Sequence, residues 1–108
     1  MKNDHNRPFK GLKVLELASV LAGPLAGSFL AEGGATVIKV EHPELGDVTR
    51  SWRTEGERKD DPNSAYFAAA NTFKTVIKQD LASAEGRQWL ENELSNSLLI
   101  YPFRVCIV

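Results

Sequence analysis

The sequence predicts an α/β fold of the Rossmann-like type, with a mostly parallel sheet and flanking helices. Two observations lead to this prediction. Short apolar runs typical of strands alternate with segments of helical spacing, the first of which ends at Gly33-Gly34. In addition, residues 12–41 read as a strand–helix–strand unit of about the length that a right-handed parallel crossover needs.

The first unit begins with the run LKVLEL at residues 12–17, which has only two polar residues. So few polar positions are typical of a strand covered on both faces of a parallel sheet. Pro24 is expected to be the first residue of the following helix, where its missing N–H costs nothing. The pair Gly33-Gly34 predicts the end of that helix, and the run TVIKV at residues 36–40 predicts the second strand.

Residues 41–63 are polar and rich in turn-forming residues, so we expect a long surface loop there. Ser83 is expected to be the N-cap of a later helix. The predicted elements after the loop are a helix at 64–70, a strand at 75–80, a helix at 83–95 and a strand at 98–101. Residues 1–10 are expected to form a polar lead-in, and residues 97–108 end in an unusual apolar tail.

Length and composition set limits on the class of protein. A chain of 108 residues is at most one domain, and its 43% hydrophobic and 25% charged content is that of an ordinary globular protein. The net charge of −1 and the scattered basic residues argue against nucleic acid or an anionic membrane as a partner. The one cysteine, Cys106, and the lack of an apolar signal segment favour a cytoplasmic location.

The turn ASVLAGPLAG at residues 18–27 is the first candidate site. Ligands of open parallel sheets bind beyond the carboxyl ends of the strands, and a helix N-terminus there offers free N–H groups to a phosphate. The spacing Gly23-x-x-x-Gly27 is not the dinucleotide-binding fingerprint. Close packing of the helix on the sheet explains the small residues slightly better than a ligand does, and the sequence leaves these two alternatives open.

The remaining polar motifs are weaker candidates. Arg50 and Arg53 are possible phosphate partners and Trp52 a possible stacking partner for a base, but a solvated loop explains them more simply. Lys74, just before a predicted strand, is within reach of a phosphate in principle. His42 has no further ligand at convincing spacing, so no metal site is expected. The sequence also offers no Ser/His/Asp constellation for nucleophilic catalysis.

As an ordered set, the motifs resemble a known family. The pattern is a strand, A-G-P, a helix ending near G-A, V-I-K-V-E, P-x-x-G-D and T-R, followed by N-x-x-K and by D-L…E-G. From about Phe9 to Asn96, this order resembles the N-terminus of family III CoA transferases, which include formyl-CoA and carnitine-CoA transferases. Alpha-methylacyl-CoA racemases share the same fold and opening.

The resemblance implies that residues 11–108 are an incomplete, N-terminal part of a Rossmann-like CoA-binding domain. Coenzyme A or an acyl-CoA and a carboxylic acid would then be the substrates, without a metal. Full-length members form interlocked homodimers. By carry-over, the expected CoA contacts are Val20, Leu21, His42, Asn71, Thr72, Lys74, Phe103 and Arg104.

The resemblance also implies a reaction route that this chain does not complete. In the family, an aspartate attacks the acyl-CoA and carries first the acyl group as a mixed anhydride and then CoA as a thioester. That aspartate is expected beyond position 108, so no catalytic residue is assigned here. The segment after Tyr101 departs from the family's E-N-F-R-P-G. A racemase, a stand-alone CoA-binding module and a fragment that does not fold stably remain alternatives.

Overall fold

The computed structural model describes residues 7–100. Secondary structure accounts for much of this range. In chain order the elements are β1 (Lys13–Glu16), α1 (Ala22–Glu32), β2 (Thr36–Glu41), a short 3-10 helix (Val48–Ser51), α2 (Ala65–Ala70), β3 (Thr75–Lys78), α3 (Ala84–Leu94) and β4 (Leu98–Ile100).

The four strands form one parallel sheet in the order β3-β2-β1-β4. Leu15 of β1 lies opposite Ile38 of β2 on one side and Leu99 of β4 on the other. The chain builds outward from β1 to β2 and β3, and α3 then returns it to the other side of β1. The predicted Rossmann-like α/β fold is therefore confirmed, with the change of direction between β1 and β4.

The two faces of the sheet are covered by different helices. Val14 and Val37 form a buried cluster with Ala31 and Ala35, so this face lies against α1. Because side chains alternate along a strand, Lys13 lies on the opposite face from Val14, and it forms an ion pair with Glu93 of α3. Helices on both faces explain why the run LKVLEL at residues 12–17 has only two polar residues.

Two boundaries differ from the sequence prediction. Helix α1 begins at Ala22, so Pro24 is its third residue rather than its first. The first four N–H groups of a helix have no partner within it, and proline is therefore tolerated at this position too. The loop at 41–63 contains the 3-10 helix Val48–Ser51, and Asp47 and Thr49 are buried. It is thus partly fixed to the body of the protein.

The end of α1 is as predicted, and the lead-in is attached to it. Gly33 is the C-cap, and Gly34 has φ +102°, a backbone conformation that favours glycine. The ring of Phe9 lies so close to Gly33 that an added Cβ would be 2.3 Å from it. The Phe9 N–H also donates to the Gly33 carbonyl at 2.9 Å, so the last residues of the predicted lead-in are packed on the helix.

Candidate active-site edge

The candidate site lies at the carboxyl edge of the sheet, around the turn that joins β1 to α1. This turn comprises residues 17–21. Its first residue is tied to the neighbouring strand, because the Leu17 N–H donates to the Ile100 carbonyl at 3.0 Å. The turn therefore lies where β1 and β4 meet, at the change of direction in the sheet. Open parallel sheets bind ligands at this kind of crevice.

The N-terminus of α1 has no side-chain cap. Leu21 occupies the N-cap position and cannot accept a hydrogen bond through its side chain, and the first turn of α1 has no acidic residue. The free N–H groups and the helix dipole leave partial positive charge at this end. By contrast, Asp47, Ser64 and Ser83 each accept a backbone N–H at the start of their helices.

The turn has an unusual backbone conformation at Val20. Its φ is +73°, in the left-handed region that β-branched residues rarely adopt. Val20 is half-buried, whereas the adjacent Leu21 keeps 44% of its surface exposed. The turn thus presents an apolar side chain and free backbone N–H groups to solvent beside the edge of the sheet.

Close packing explains both glycines of the motif. A Cβ at Gly23 would lie 2.2 Å from the Cβ of Ala18. A Cβ at Gly27 would lie 1.9 Å from Glu16 Oε1. Of the two alternatives that the sequence left open, the packing explanation therefore holds for these glycines, and the uncapped helix end is the feature that still points to a ligand.

A buried cluster of charges lies directly beneath α1. Lys39 Nζ is 3.1 Å from Glu16 Oε2, and Lys74 Nζ is 2.7 Å from Glu16 Oε1. All three side chains are almost completely buried, at 1%, 0% and 0% exposed for Lys39, Glu16 and Lys74. Burial lowers the pKa of Lys74, while the hydrogen bond and the charge of Glu16 act to raise it. The charged form of Lys74 therefore depends on Glu16.

The cluster extends to the start of the 3-10 helix. Asp47 Oδ2 is 2.9 Å from Lys39 Nζ, and Asp47 Oδ1 accepts from the backbone N–H and hydroxyl of Thr49. Burial acts to raise the pKa of Asp47, but the hydrogen bonds from Lys39 and Thr49 outweigh it and lower the pKa below 3.8. Asp47 thus supplies a second carboxylate, so that the two lysines of the cluster are balanced by Glu16 and Asp47.

Arg50 belongs to the same buried region and not to a solvated loop. It binds Glu41 through two hydrogen bonds, Nε to Oε1 at 2.9 Å and Nη2 to Oε2 at 2.6 Å, and its guanidinium lies 3.8 Å from the centroid of the Phe67 ring. Burial acts to raise the pKa of Glu41, and the hydrogen bonds from Arg50 and Asp47 lower it overall. The guanidinium of Arg50 is thereby bound to groups within the protein. Trp52 likewise has a protein partner, since its ring contacts that of Tyr66 edge to face at 5.3 Å.

His42 lies at the carboxyl end of β2, beside a shallow depression. Its Nδ1 accepts the backbone N–H groups of Glu44 and Leu45 at 3.1 and 3.2 Å, so the proton of the neutral ring is on Nε2. Nε2 lies 3.9 Å from Asp80 Oδ1. The depression has a volume of about 280 Å³ and runs from His42 to Leu17 at the base of the β1–α1 turn.

The other residues predicted to bind CoA fall into three groups. Asn71 and Thr72 follow α2, and Asn71 accepts from Lys74 Nζ at 2.8 Å. Lys74 donates in addition to the carbonyls of Pro24 and Ala70, so its ammonium group is enclosed by protein oxygens. Phe103 and Arg104 lie outside the described residues. Contact of any of these residues with CoA stays a prediction.

Comparison with known proteins places the chain in a family. The model of "CoA-transferase family III" matches residues 9–97. The chain belongs to CoA-transferase family III. It is 49% identical over 82 residues to a succinate–glutarate CoA-transferase of Agrobacterium fabrum, covering 73% of this chain and 20% of the relative. It is 38% identical over 86 residues to a formyl-CoA:oxalate CoA-transferase of Escherichia coli, covering 78% of this chain and 20% of that relative.

Solved structures of the family share the fold. A CAIB/BAIF family protein from Brucella suis superposes with a TM-score of 0.72 at 45% identity, covering 86% of this chain and 25% of that protein. The protein Rv3272 from Mycobacterium tuberculosis superposes with a TM-score of 0.73 at 33% identity, covering 84% of this chain and 25% of that protein. This family III chain thus spans about a fifth of the length of the curated relatives it matches.

The sequence analysis missed the buried cluster of Glu16, Lys39 and Lys74. A signal for it is present in the sequence: Glu16 and Lys39 carry opposite charges within strands predicted to be covered on both faces. Charges in such positions must be paired, because burying an unpaired charge is very costly. In residues 7–100 no group of three or more His, Cys, Asp or Glu side chains is arranged to hold a metal ion.

Proposed function

We propose that this chain is the part of a family III CoA transferase that contacts coenzyme A. The observation that carries the proposal is the uncapped N-terminus of α1, which lies beside the junction of β1 and β4. The enzyme to which it belongs would move CoA between carboxylic acids through an aspartyl-CoA route. No residue of this chain is given the role of the attacking carboxylate, so we expect no turnover from these 108 residues alone.

The names of the relatives support CoA as the shared ligand. Proteins that match the same part of this chain are named for succinate and glutarate, for cinnamate and phenyllactate, and for formate and oxalate. These acids differ in size, charge and aromatic character, whereas CoA is common to all the reactions. We therefore assign this segment to CoA and leave the choice of acid to other parts of the enzyme.

In the proposed complex, a negatively charged group of CoA lies at the N-terminus of α1. The free N–H groups and the helix dipole stabilise such a group. Val20 and Leu21 supply apolar contact, and His42 Nε2 is a hydrogen-bond donor at the adjacent depression. We prefer a transferase to a racemase as the function of the whole enzyme, because the relatives reported above are named as CoA-transferases.

Two substitutions at the exposed N-cap position test this proposal. Leu21→Asp adds a carboxylate at the positive end of α1, and we expect it to weaken CoA binding about tenfold by repulsion. Leu21→Asn is the matched control, since it has the same shape without the charge. Both variants can cap the helix, so neither is expected to lower its stability.

The measurement is calorimetric titration of the 108-residue chain with CoA, with thermal melts of each variant. The proposal is supported if Leu21→Asp binds CoA about tenfold more weakly than Leu21→Asn while the two variants have the same melting temperature. A cooperatively melting wild-type chain that does not bind CoA would contradict it, as would equal affinity of Leu21→Asp and Leu21→Asn.

A further inference from the structure

The β1–α1 turn is strained at Val20, and something in the structure must hold it in that conformation. A β-branched residue at φ +73° is disfavoured by contacts between its side chain and its own backbone. Such conformations persist where the surrounding structure over-determines them. The buried side chains that touch the backbone on either side of Val20 are therefore of interest.

Two buried ammonium groups bind the backbone on either side of Val20. Lys39 Nζ donates to the Ala18 carbonyl at 2.9 Å, and Lys74 Nζ donates to the Pro24 carbonyl at 2.7 Å. Glu16 joins the two lysines, with one carboxylate oxygen for each. Lys39 comes from β2 and Lys74 is the residue just before β3. Ala18 of the turn and Pro24 in the first turn of α1 are thus each attached to a neighbouring strand.

We propose that Glu16, Lys39 and Lys74 form a clamp that holds the β1–α1 turn in its strained conformation and so positions it for CoA. The inference rests on the proposed function, which it deepens by adding positioning residues beneath the ligand site. Glu16 has the central role, because its two oxygens fix both lysines at once. Asp47 supplies the second carboxylate, 2.9 Å from Lys39, so the four charges sum to zero.

The contacts of Lys74 favour positioning over direct phosphate binding. Its ammonium group has three N–H donors, and four protein oxygens lie within 3.2 Å: Glu16 Oε1, the Pro24 and Ala70 carbonyls and Asn71 Oδ1. No donor is left for a ligand in this arrangement. Gly27 makes room for the clamp, since a Cβ there would lie 1.9 Å from Glu16 Oε1 and 3.2 Å from Lys74 Cε.

A double-mutant cycle on stability tests the clamp without any ligand. Val20→Gly removes the strain, because glycine adopts positive φ freely, and we expect it to raise the folding equilibrium constant of the wild type about threefold or more. In the E16Q/K74M background only Lys39 still holds the turn, so it is freer to relax, and the same substitution should raise the folding equilibrium constant less than about 1.5-fold. E16Q/K74M removes one charge of each sign and leaves Lys39 paired with Asp47.

The measurement is the folding constant of the four proteins from urea unfolding. Val76→Gly, at a half-exposed position of β3 with ordinary backbone geometry, is the matched control and should act equally in both backgrounds. If E16Q/K74M does not fold, Lys74→Gln replaces it in the same cycle. If Val20→Gly raises the folding constant by the same factor in the wild type and in E16Q/K74M, the clamp is overturned.

Binding measurements separate a positioning role from a ligand role. If Lys74 acts by positioning, Lys74→Met should weaken CoA and dephospho-CoA by the same factor, about tenfold, because both ligands need the same turn. A loss confined to CoA would instead identify Lys74 as a partner of the 3′-phosphate and overturn the proposal. A wild-type chain that shows the coupling to Val20 but binds neither ligand would refute the proposed function and leave the clamp standing.

Discussion

At the scale of single residues, charged side chains inside the protein determine much of what surrounds the candidate site. Asp47 and Glu41 are 1% and 3% exposed, and each forms an ion pair with a cation and accepts a hydrogen bond from the backbone. Removing one member of such a pair is more harmful than replacing the whole pair, because the partner is left charged and buried. The stability of the fold should therefore depend on whether these two carboxylates are ionised, and so on pH.

The lowered pKa values of Asp47 and Glu41 predict loss of stability in acid. A carboxyl group whose pKa falls on folding stabilises the folded state above its unfolded pKa, here 3.8 for Asp47 and 4.5 for Glu41. That contribution is lost as pH falls through the lower, folded values. We expect the urea midpoint of the chain to be constant from pH 7 to about 5 and to fall below about pH 4.5.

Asp47→Asn provides the control for this pH dependence. The variant should be less stable than the wild type at pH 7, since Lys39 loses one of its two carboxylate partners. Its urea midpoint should also fall less steeply in acid than that of the wild type. A wild-type midpoint that stays constant down to pH 3 would show that these carboxylates are not linked to folding, as would an Asp47→Asn variant with the wild-type acid dependence.

At the scale of elements, Ser64 and Ser83 cap two helices with the same pair of hydrogen bonds in different surroundings. Each hydroxyl accepts a backbone N–H three residues ahead, from Phe67 or Gly86 at 3.0 or 2.9 Å. Each also donates to a carbonyl, at 2.5 Å for Ser64 and 2.7 Å for Ser83. Ser64 is completely buried, whereas Ser83 is half-buried.

This difference in burial predicts different costs of substitution by alanine. Ser83→Ala should lower the free energy of unfolding by about 1 kcal/mol, the usual value for a lost cap. Ser64→Ala should cost about 2–3 kcal/mol, because the lost hydroxyl is completely buried and the buried Thr49 carbonyl keeps only its hydrogen bond from the Trp52 N–H. Chemical denaturation of the two variants measures the difference, and equal costs would show that burial of the Thr49 carbonyl has no effect.

The sequence predicted the elements well and their side-chain contacts poorly. All four strands and the three α-helices were predicted within a few residues, because apolar runs, Gly33-Gly34 and the Ser83 cap are local signals. The roles of Glu16 and Lys74 could not be predicted, since they depend on residues 58 apart meeting beneath α1. The conformation of Val20 likewise depends on its surroundings and has no signature in its own sequence.

At the scale of the whole molecule, the described part of the chain is a four-stranded parallel sheet with helices on both faces. In the described range no helix has the length and apolar character needed to cross a bilayer. The edge strands β3 and β4 carry partly exposed apolar residues, among them Val76, Leu98 and Leu99. The solved relatives continue well beyond the region that matches this chain.

The central claim is that CoA binds at the β1–α1 turn, and a two-dimensional NMR titration of the ¹⁵N-labelled chain with CoA tests it most directly. We predict that the amide signals of Val20, Leu21, Ala22 and Gly23 shift together and saturate as CoA is added, while those at the C-terminus of α1 do not. Saturating shifts confined to another region, such as the exposed loop around Glu57, or no shifts in a folded chain, would contradict the claim.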